Sequence, residues 1–303
     1  MSADGEDIVP LPHGSAVIAH SAQSDVGRVR NVNEDAFLAE APVYLVADGM
    51  GGHARGDAAS RTVVETFRRH LAPGRPSSPE QVLDAIHSSN DAVRALSDEG
   101  EEGTAVAGTT LTGVALVDAG DGSGFHWMVF NIGDSRVYAW DGRTLEQLSV
   151  DHSAVQELVD AGLLRPEDAE RHPDRNVITR AIGADEVVDP DVWLIPAVGR
   201  QVFLICSDGL SKEVGDAQLA DILAGDTGHA AGLAGELVDA ALEHGGRDNV
   251  SVIVVESVMG SDDDDEATRD RLDALSRAAE DTTPRTEGGT PRAEGGEHGD
   301  LPA

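Results

Sequence analysis

Four acidic residues share one setting, an apolar run meeting a carboxylate beside a turn residue. Val43-Tyr44-Leu45-Val46-Ala47 runs into Asp48-Gly49, Trp127 to Gly133 into Asp134, and Val202 to Ser207 into Asp208-Gly209. The fourth is inverted, with Gly246-Arg247-Asp248-Asn249 leading into Val250 to Val255. Short runs rich in Val and Ile, bounded by turn residues, read as buried strands, which puts each carboxylate at a strand end. One Asp-Gly alone reads as a turn; four such ends, with Glu34-Asp35 nearby, read as a site. Like charges brought together there need a compensating cation. The donors are all oxygens, with no Cys pair and no His-x-x-x-His spacing, so the expected ions are Mg²⁺ or Mn²⁺ rather than Zn²⁺. Arg30, four residues before Glu34, offers a planar fork suited to a dianionic phosphate.

Composition narrows the classes. The 303 residues carry a formal net charge of -34, which argues against nucleic acid or an anionic membrane surface as partner. A hydrophobic content of 40% is enough for a sizeable core. The residues Met1 to Gly14 are acidic and lack the basic-then-apolar order of a signal peptide, and no apolar stretch is long enough to span a bilayer, so a cytoplasmic location is expected. Cys206, the only cysteine, lies in a predicted strand and excludes a disulfide within the chain. Lys212 is the only lysine.

The elements that must position these groups come in blocks. Residues 1–14 read as a flexible arm, 15–258 as the compact domain, and 259–303 as an acidic, disordered tail; from Gly260 onward the net charge is -8, too polar for a core of its own. A short helix over Glu266–Ala279 has only a thin apolar face. Helical periodicity covers 58–71 and 79–96, then strands at 108–117, 126–132, 136–140 and 144–148, with turns at 118–124 and Asp141-Gly142. Helices are expected over 153–162, 165–170 and 176–182, then a strand at 202–206, helices over 216–223 and 230–244, and a closing strand. Strands in runs and helices in runs predict an α+β domain with sheets between helix pairs.

Other motifs carry less. Ser135 has no His in a triad order and reads as a turn residue. The glycine-rich run 51–56 lacks the Lys-Ser/Thr ending of a nucleotide-binding loop. Aromatic residues are 3% of the chain and form no platform for stacking bases.

Taken in order, Arg30-x-x-x-Glu34-Asp35, Ala47-Asp48-Gly49-Met50-Gly51-Gly52-His53, Gly108-Thr109-Thr110, Asn131 to Arg136, Ser207-Asp208-Gly209-Leu210 and Gly246-Arg247-Asp248-Asn249 resemble the metal-dependent protein phosphatases of the PPM, or type 2C, serine/threonine family. The wording is closest to its compact bacterial members and covers about residues 20–256. The resemblance implies a β-sandwich of two antiparallel sheets flanked by helix pairs (αββα), a helical flap over about 151–183 beside the cleft, and a site for two Mn²⁺ or Mg²⁺ ions. By the same resemblance Asp48 bridges the ions, Asp208 and Asp248 complete one, and Glu34 with the Gly49 carbonyl completes the other. Asp134 and Asp208 match a third, weaker site.

The implied reaction is hydrolysis of phosphoserine and phosphothreonine by a metal-bridged hydroxide, with Arg30 clamping the phosphate and Asp35 orienting water. His53 or a metal-bound water would protonate the leaving alkoxide; the family's eukaryotic members place a His directly after the Asp-Gly, where this chain has Met50. The expected partners are phosphoproteins and the serine/threonine kinases whose signalling it would oppose, with a monomer as the default. The alternative class is an inactive pseudophosphatase that senses metal or holds a partner. The flap, with Arg165, Arg171, Arg175 and Arg180, is where substrate selection is expected.

Overall fold

In the computed structural model, residues 1–50, 54–98, 107–120, 122, 124–169, 171–225 and 230–261 are described. The elements open with β1 (Ser2–Leu11), β2 (Gly14–Asp25), β3 (Ala36–Glu40), β4 (Val43–Ala47) and the short β5 (Gly49–Met50). Helices α1 (Ala54–His70) and α2 (Pro79–Asp98) follow, then β6 (Gly108–Thr109), β7 (Leu111–Asp118), β8 (Phe125–Ile132), β9 (Arg136–Trp140) and β10 (Leu145–Gln147). After α3 (Ala154–Asp160) and α4 (Pro166–Ala169) come β11 (Asp191–Pro196), β12 (Arg200–Cys206), α5 (Asp208–Ser211), α6 (Asp216–Gly225), α7 (Leu233–His244) and β13 (Val250–Ser261).

One antiparallel sheet has the order β1-β2-β13-β12-β9-β10 and the other β11-β8-β7-β4-β3, with β5 and β6 forming a separate ribbon. The continuous apolar runs are explained by burial on both faces. In β4, Val43, Leu45 and Ala47 pack against α1 and α2, while Tyr44 and Val46 enter the space between the sheets. In β12, Val202, Leu204 and Cys206 face α7, while Phe203 and Ile205 face inward. Phe67 of α1 stacks on Phe130 of β8 with ring centroids 5.8 Å apart, and Trp127 meets Phe203 between the sheets at 5.5 Å. The result is the expected αββα layering.

Two expectations are corrected. Residues 1–14 are not a loose arm: β1 pairs along its whole length with β2, from Ser2 opposite Gln23 to Leu11 opposite Gly14. Val9 is fully buried, and Asp7 Oδ2 accepts from the Tyr44 hydroxyl at 2.7 Å and from the Ala41 amide at 3.1 Å, tying β1 to the opposite sheet. The acidic, outward residues hid this strand, though charge on an edge strand discourages further pairing. The compact unit therefore runs from Met1 to Ser261 rather than 15–258. Residues 176–182 are likewise extended rather than helical. Ile178 bridges to Ser153 and Ile182 to Thr109, and the β-branched Val177, Ile178 and Thr179 suit that geometry. The expected helix over 266–279, and the tail beyond Ser261, lie outside the described residues.

Among the described residues no helix is long and apolar enough to cross a membrane. Deleting residues 1–13 should lower the melting temperature by several degrees, because burial of Val9 alone contributes about 1.5–3 kcal/mol. Differential scanning calorimetry tests this; an unchanged transition would restore the loose-arm reading.

Candidate active site

The register of both sheets brings the motif ends together. In one sheet Ala36 opposes Ala47 and Leu111 opposes Ile132, so Glu34-Asp35, Asp48, Thr110 and Asp134 all lie at one end. In the other, Val250 opposes Asp25 and Cys206 opposes Val252, which puts Asp208 and Asp248 at a common end. Asp35 joins the two ends: its Oδ2 accepts from Ser207 Oγ at 2.9 Å and from Ser251 Oγ at 2.7 Å. The same end thus collects carboxylates from both layers of the sandwich.

The loops are held by side chains as well as by backbone pairing, of which the β5–β6 ribbon after Asp48 is one case. Asn249 Oδ1 accepts from the Glu34 amide at 2.8 Å, and its Nδ2 donates to the carbonyls of Val26 at 2.9 Å and Val32 at 3.0 Å. The Asp48 amide donates to Thr110 Oγ1 at 3.0 Å, and the Asp48 carbonyl accepts from Thr109 Oγ1 at 2.9 Å. Thr110 Oγ1 also meets Ser135 Oγ at 2.8 Å, which gives Ser135 a structural task. Gly49 is required by close approach, since a Cβ there would collide with the carbonyls of Glu34 and Gly56. Gly209 is required for the same reason, with the Asn249 carbonyl against it.

The start of the segment 151–183, where a flap is expected, is anchored beside Asp134. His152 Nδ1 accepts from the Gly133 amide at 3.1 Å, its Nε2 lies 3.2 Å from Asp191 Oδ2, and Arg136 forms a forked pair with Asp151. Of the expected flap arginines, Arg180 reaches Asp191 at 2.9 Å and Arg165 reaches Asp168 at 2.8 Å.

The electrostatics reflect crowding of like charge. Burial pushes the Asp35 carboxyl up to about 7, against the hydrogen bonds from Ser251 and Ser207, and the Asp208 and Asp248 charges add to the rise. Burial also raises Asp134 to about 7, with Asp208 adding and Lys212 opposing. Asp48 is pushed well above the usual carboxylate range by burial and by Asp35, Asp208, Asp134 and Asp248. Two cations stand among them. Arg30 Nη2 donates to Asp248 Oδ2 at 2.8 Å, and Lys212 Nζ pairs with Asp208 Oδ2 and lies 3.6 Å from Asp134 Oδ2. Burial works against the Lys212 charge, but Asp208 and Asp134 outweigh it and hold its pKa above the ordinary value.

The donor set fits a hard divalent cation. It is all oxygen, and the buried Asp35 Oδ1 and Asp134 Oδ1 have no hydrogen-bond partner. Among the described residues, no three such groups close on a single point. Glu34, Asp35, Asp48, Gly49, Asp134, Asp208, Asp248 and Arg30 all fall at this end, whereas His53 lies outside the described residues. Ser207, Ser251, Asn249, Thr109, Thr110 and His152 received no role from the sequence. All but His152 lie inside or beside the motifs, and that adjacency was the available signal.

An αββα sandwich with acidic loops converging at one end is the architecture of a metal-dependent phosphatase. The chain belongs to the protein phosphatase 2C family, whose model matches residues 27–227. It is 38% identical over 243 residues to serine/threonine protein phosphatase PstP of Mycobacterium tuberculosis, covering 80% of this chain and 45% of that protein. The chain thus spans less than half the length of this mycobacterial relative. It is 33% identical over 244 residues to serine/threonine phosphatase stp of Listeria welshimeri, covering 77% of this chain and 94% of the relative. The crystal structure of the PstP catalytic domain in complex with two manganese ions superposes with a TM-score of 0.70 at 35% identity, covering 80% of this chain and all of that one.

The raised carboxyls carry a sign. Asp35 and Asp134 keep protons to about pH 7 in the folded chain and lose them near pH 4 when unfolded, so their contribution to stability is full below about pH 4 and is lost as pH rises through about 7. Calorimetry in EDTA should show the melting temperature falling between about pH 5 and about pH 8, and Mn²⁺ should abolish or reverse that trend. A metal-free protein that gained stability over this range would contradict the assignment.

Proposed function

We propose that this chain hydrolyses phosphoserine and phosphothreonine in proteins, in a reaction dependent on Mn²⁺ or Mg²⁺. The observation that carries this reading is the convergence of Glu34, Asp48, Asp208 and Asp248 from both sheets on one end, with Arg30 beside Asp248. Glu34, Asp48, the Gly49 carbonyl, Asp208 and Asp248 would hold two ions. Bound there, the pair supplies neutralising charge and a water acidic enough to ionise near neutral pH.

The remaining roles belong to the chain itself. Arg30 is half exposed and makes one hydrogen bond to Asp248, which leaves other guanidinium donors for phosphoryl oxygens. Asp35, held through Oδ2 by two serine hydroxyls, keeps Oδ1 available to orient water. The Asn249 and Thr110 contacts hold the two loops in register, so that little ordering is left to do when substrate binds. His53 is the candidate proton donor to the leaving alkoxide. The counterparts of this activity would be serine/threonine protein kinases, and a monomeric protein acting in the cytoplasm is consistent with the -34 charge, which disfavours anionic membranes and nucleic acid.

Turnover of a phosphothreonine peptide and of p-nitrophenyl phosphate, with Mn²⁺ or EDTA, tests the reading. Asp208→Asn should cost at least about 100-fold in kcat with the fold retained. Folded wild-type protein that binds Mn²⁺ yet turns over neither compound would make it a binding protein instead. Arg30→Ala should raise KM for the peptide by about tenfold, as expected for loss of a bidentate phosphate contact; an unchanged KM and kcat would remove Arg30 from the site.

A further inference from the structure

The chain contains one lysine in 303 residues, and its ammonium points into the carboxylate cluster. Lys212 follows α5, four residues after Asp208, the spacing that puts two side chains on one helical face. Its Nζ bonds Asp208 Oδ2 and lies 3.6 Å from Asp134 Oδ2. The two carboxylates are 13% and 7% exposed against 40% for the lysine, so the stem comes from the rim and the charge goes inward. Asp134 Oδ1 is buried without a hydrogen-bond partner. An ammonium is a compact point charge with three donors, able to serve two carboxylates at once.

We propose that Lys212 is a tethered cation that takes the place of a third metal ion between Asp134 and Asp208, so that this chain binds two divalent ions and not three. The inference rests on the two-ion reading given under Proposed function. Asp134 and Asp208 are the pair that the family resemblance matched to a third, weaker ion, and an ion there would have to displace the ammonium from between them. Because the cation is covalently attached, it offsets part of the negative charge at Asp134 and Asp208 at any metal concentration. Asp48 and Asp248 lie outside the lysine's two direct contacts and are left to the main pair of ions.

Mn²⁺ titration of the full chain, followed by electron paramagnetic resonance of the unbound ion, tests this without reference to activity. Wild type should saturate at two ions. Lys212→Met, which keeps the apolar stem, and Lys212→Ala should each gain one further ion, bound at least about tenfold more tightly than any extra binding by wild type. Lys212→Arg should remain at two, and adding Asp134→Asn to Lys212→Met should remove the gained ion. Saturation of wild type at three ions overturns the inference, and this arm does not depend on how the variants fold. Two ions in every variant also overturns this inference alone, whereas no bound Mn²⁺ in any variant overturns it together with the two-ion reading.

Discussion

Repulsion among carboxylates gathered from two sheets is the constraint that the rest of the molecule answers to. Two unit charges about 4 Å apart at an effective dielectric of about 20 interact by about 4 kcal/mol, a large share of the net stability of a domain. Asp35, Asp48 and Asp134 all show the cost, held toward their protonated forms first by burial and then by neighbouring carboxylates, Asp208 among them in each case. A fold can sustain that only if the loops carrying the charges cannot spread apart. Both features that prevent it are visible. The strands behind the loops are buried on both faces; Asn249, Ser207 and Ser251 fasten the Glu34-Asp35 segment across the sandwich, and Thr109 and Thr110 hold Asp48.

The fastening groups also explain where the sequence tolerates nothing larger. Gly49 lets the backbone after β4 pass against Glu34, and Gly209 lets the turn after β12 press on Asn249. These contacts bring the Glu34 loop to Asp48 and the Asp208 loop to Asp248. Arg30 and Lys212 then supply the positive charge that the acidic loops require from within the chain. The affinity for a divalent cation and the reactivity toward a phosphate ester both arise from the same unfavourable electrostatics.

Much of this was legible because strand-end carboxylates are a local signal. Asp48, Asp134, Asp208 and Asp248 each sit within two residues of a strand, as the apolar runs required. The helices around the sheets were equally readable from their periodicity. Long-range contacts were not. The strand β1 has few inward apolar residues, and its place depends on β2 and on Asp7 reaching Tyr44. Residues 176–182 carry no strong alternation, and bridges to Ser153 and Thr109 decide their extended form. Ser251 looks like an ordinary polar residue in a strand until Asp35, 216 positions away, is seen to accept its hydroxyl. Lys212 stands out by its rarity, yet only the turn of α5 aims it at Asp134.

If the acidic end is a site strained for the sake of cation binding, removing one charge should have opposite effects with and without metal. Melting temperatures of wild type and Asp48→Asn, each measured in EDTA and in saturating Mn²⁺, test this most directly. The substituted protein should melt higher than wild type in EDTA, because the cost of burying an acid among other carboxylates is gone, and lower in Mn²⁺, because the ion-binding energy is lost. A variant that melts lower than wild type under both conditions would mean that Asp48 serves the fold, and the electrostatic account of this site would fail.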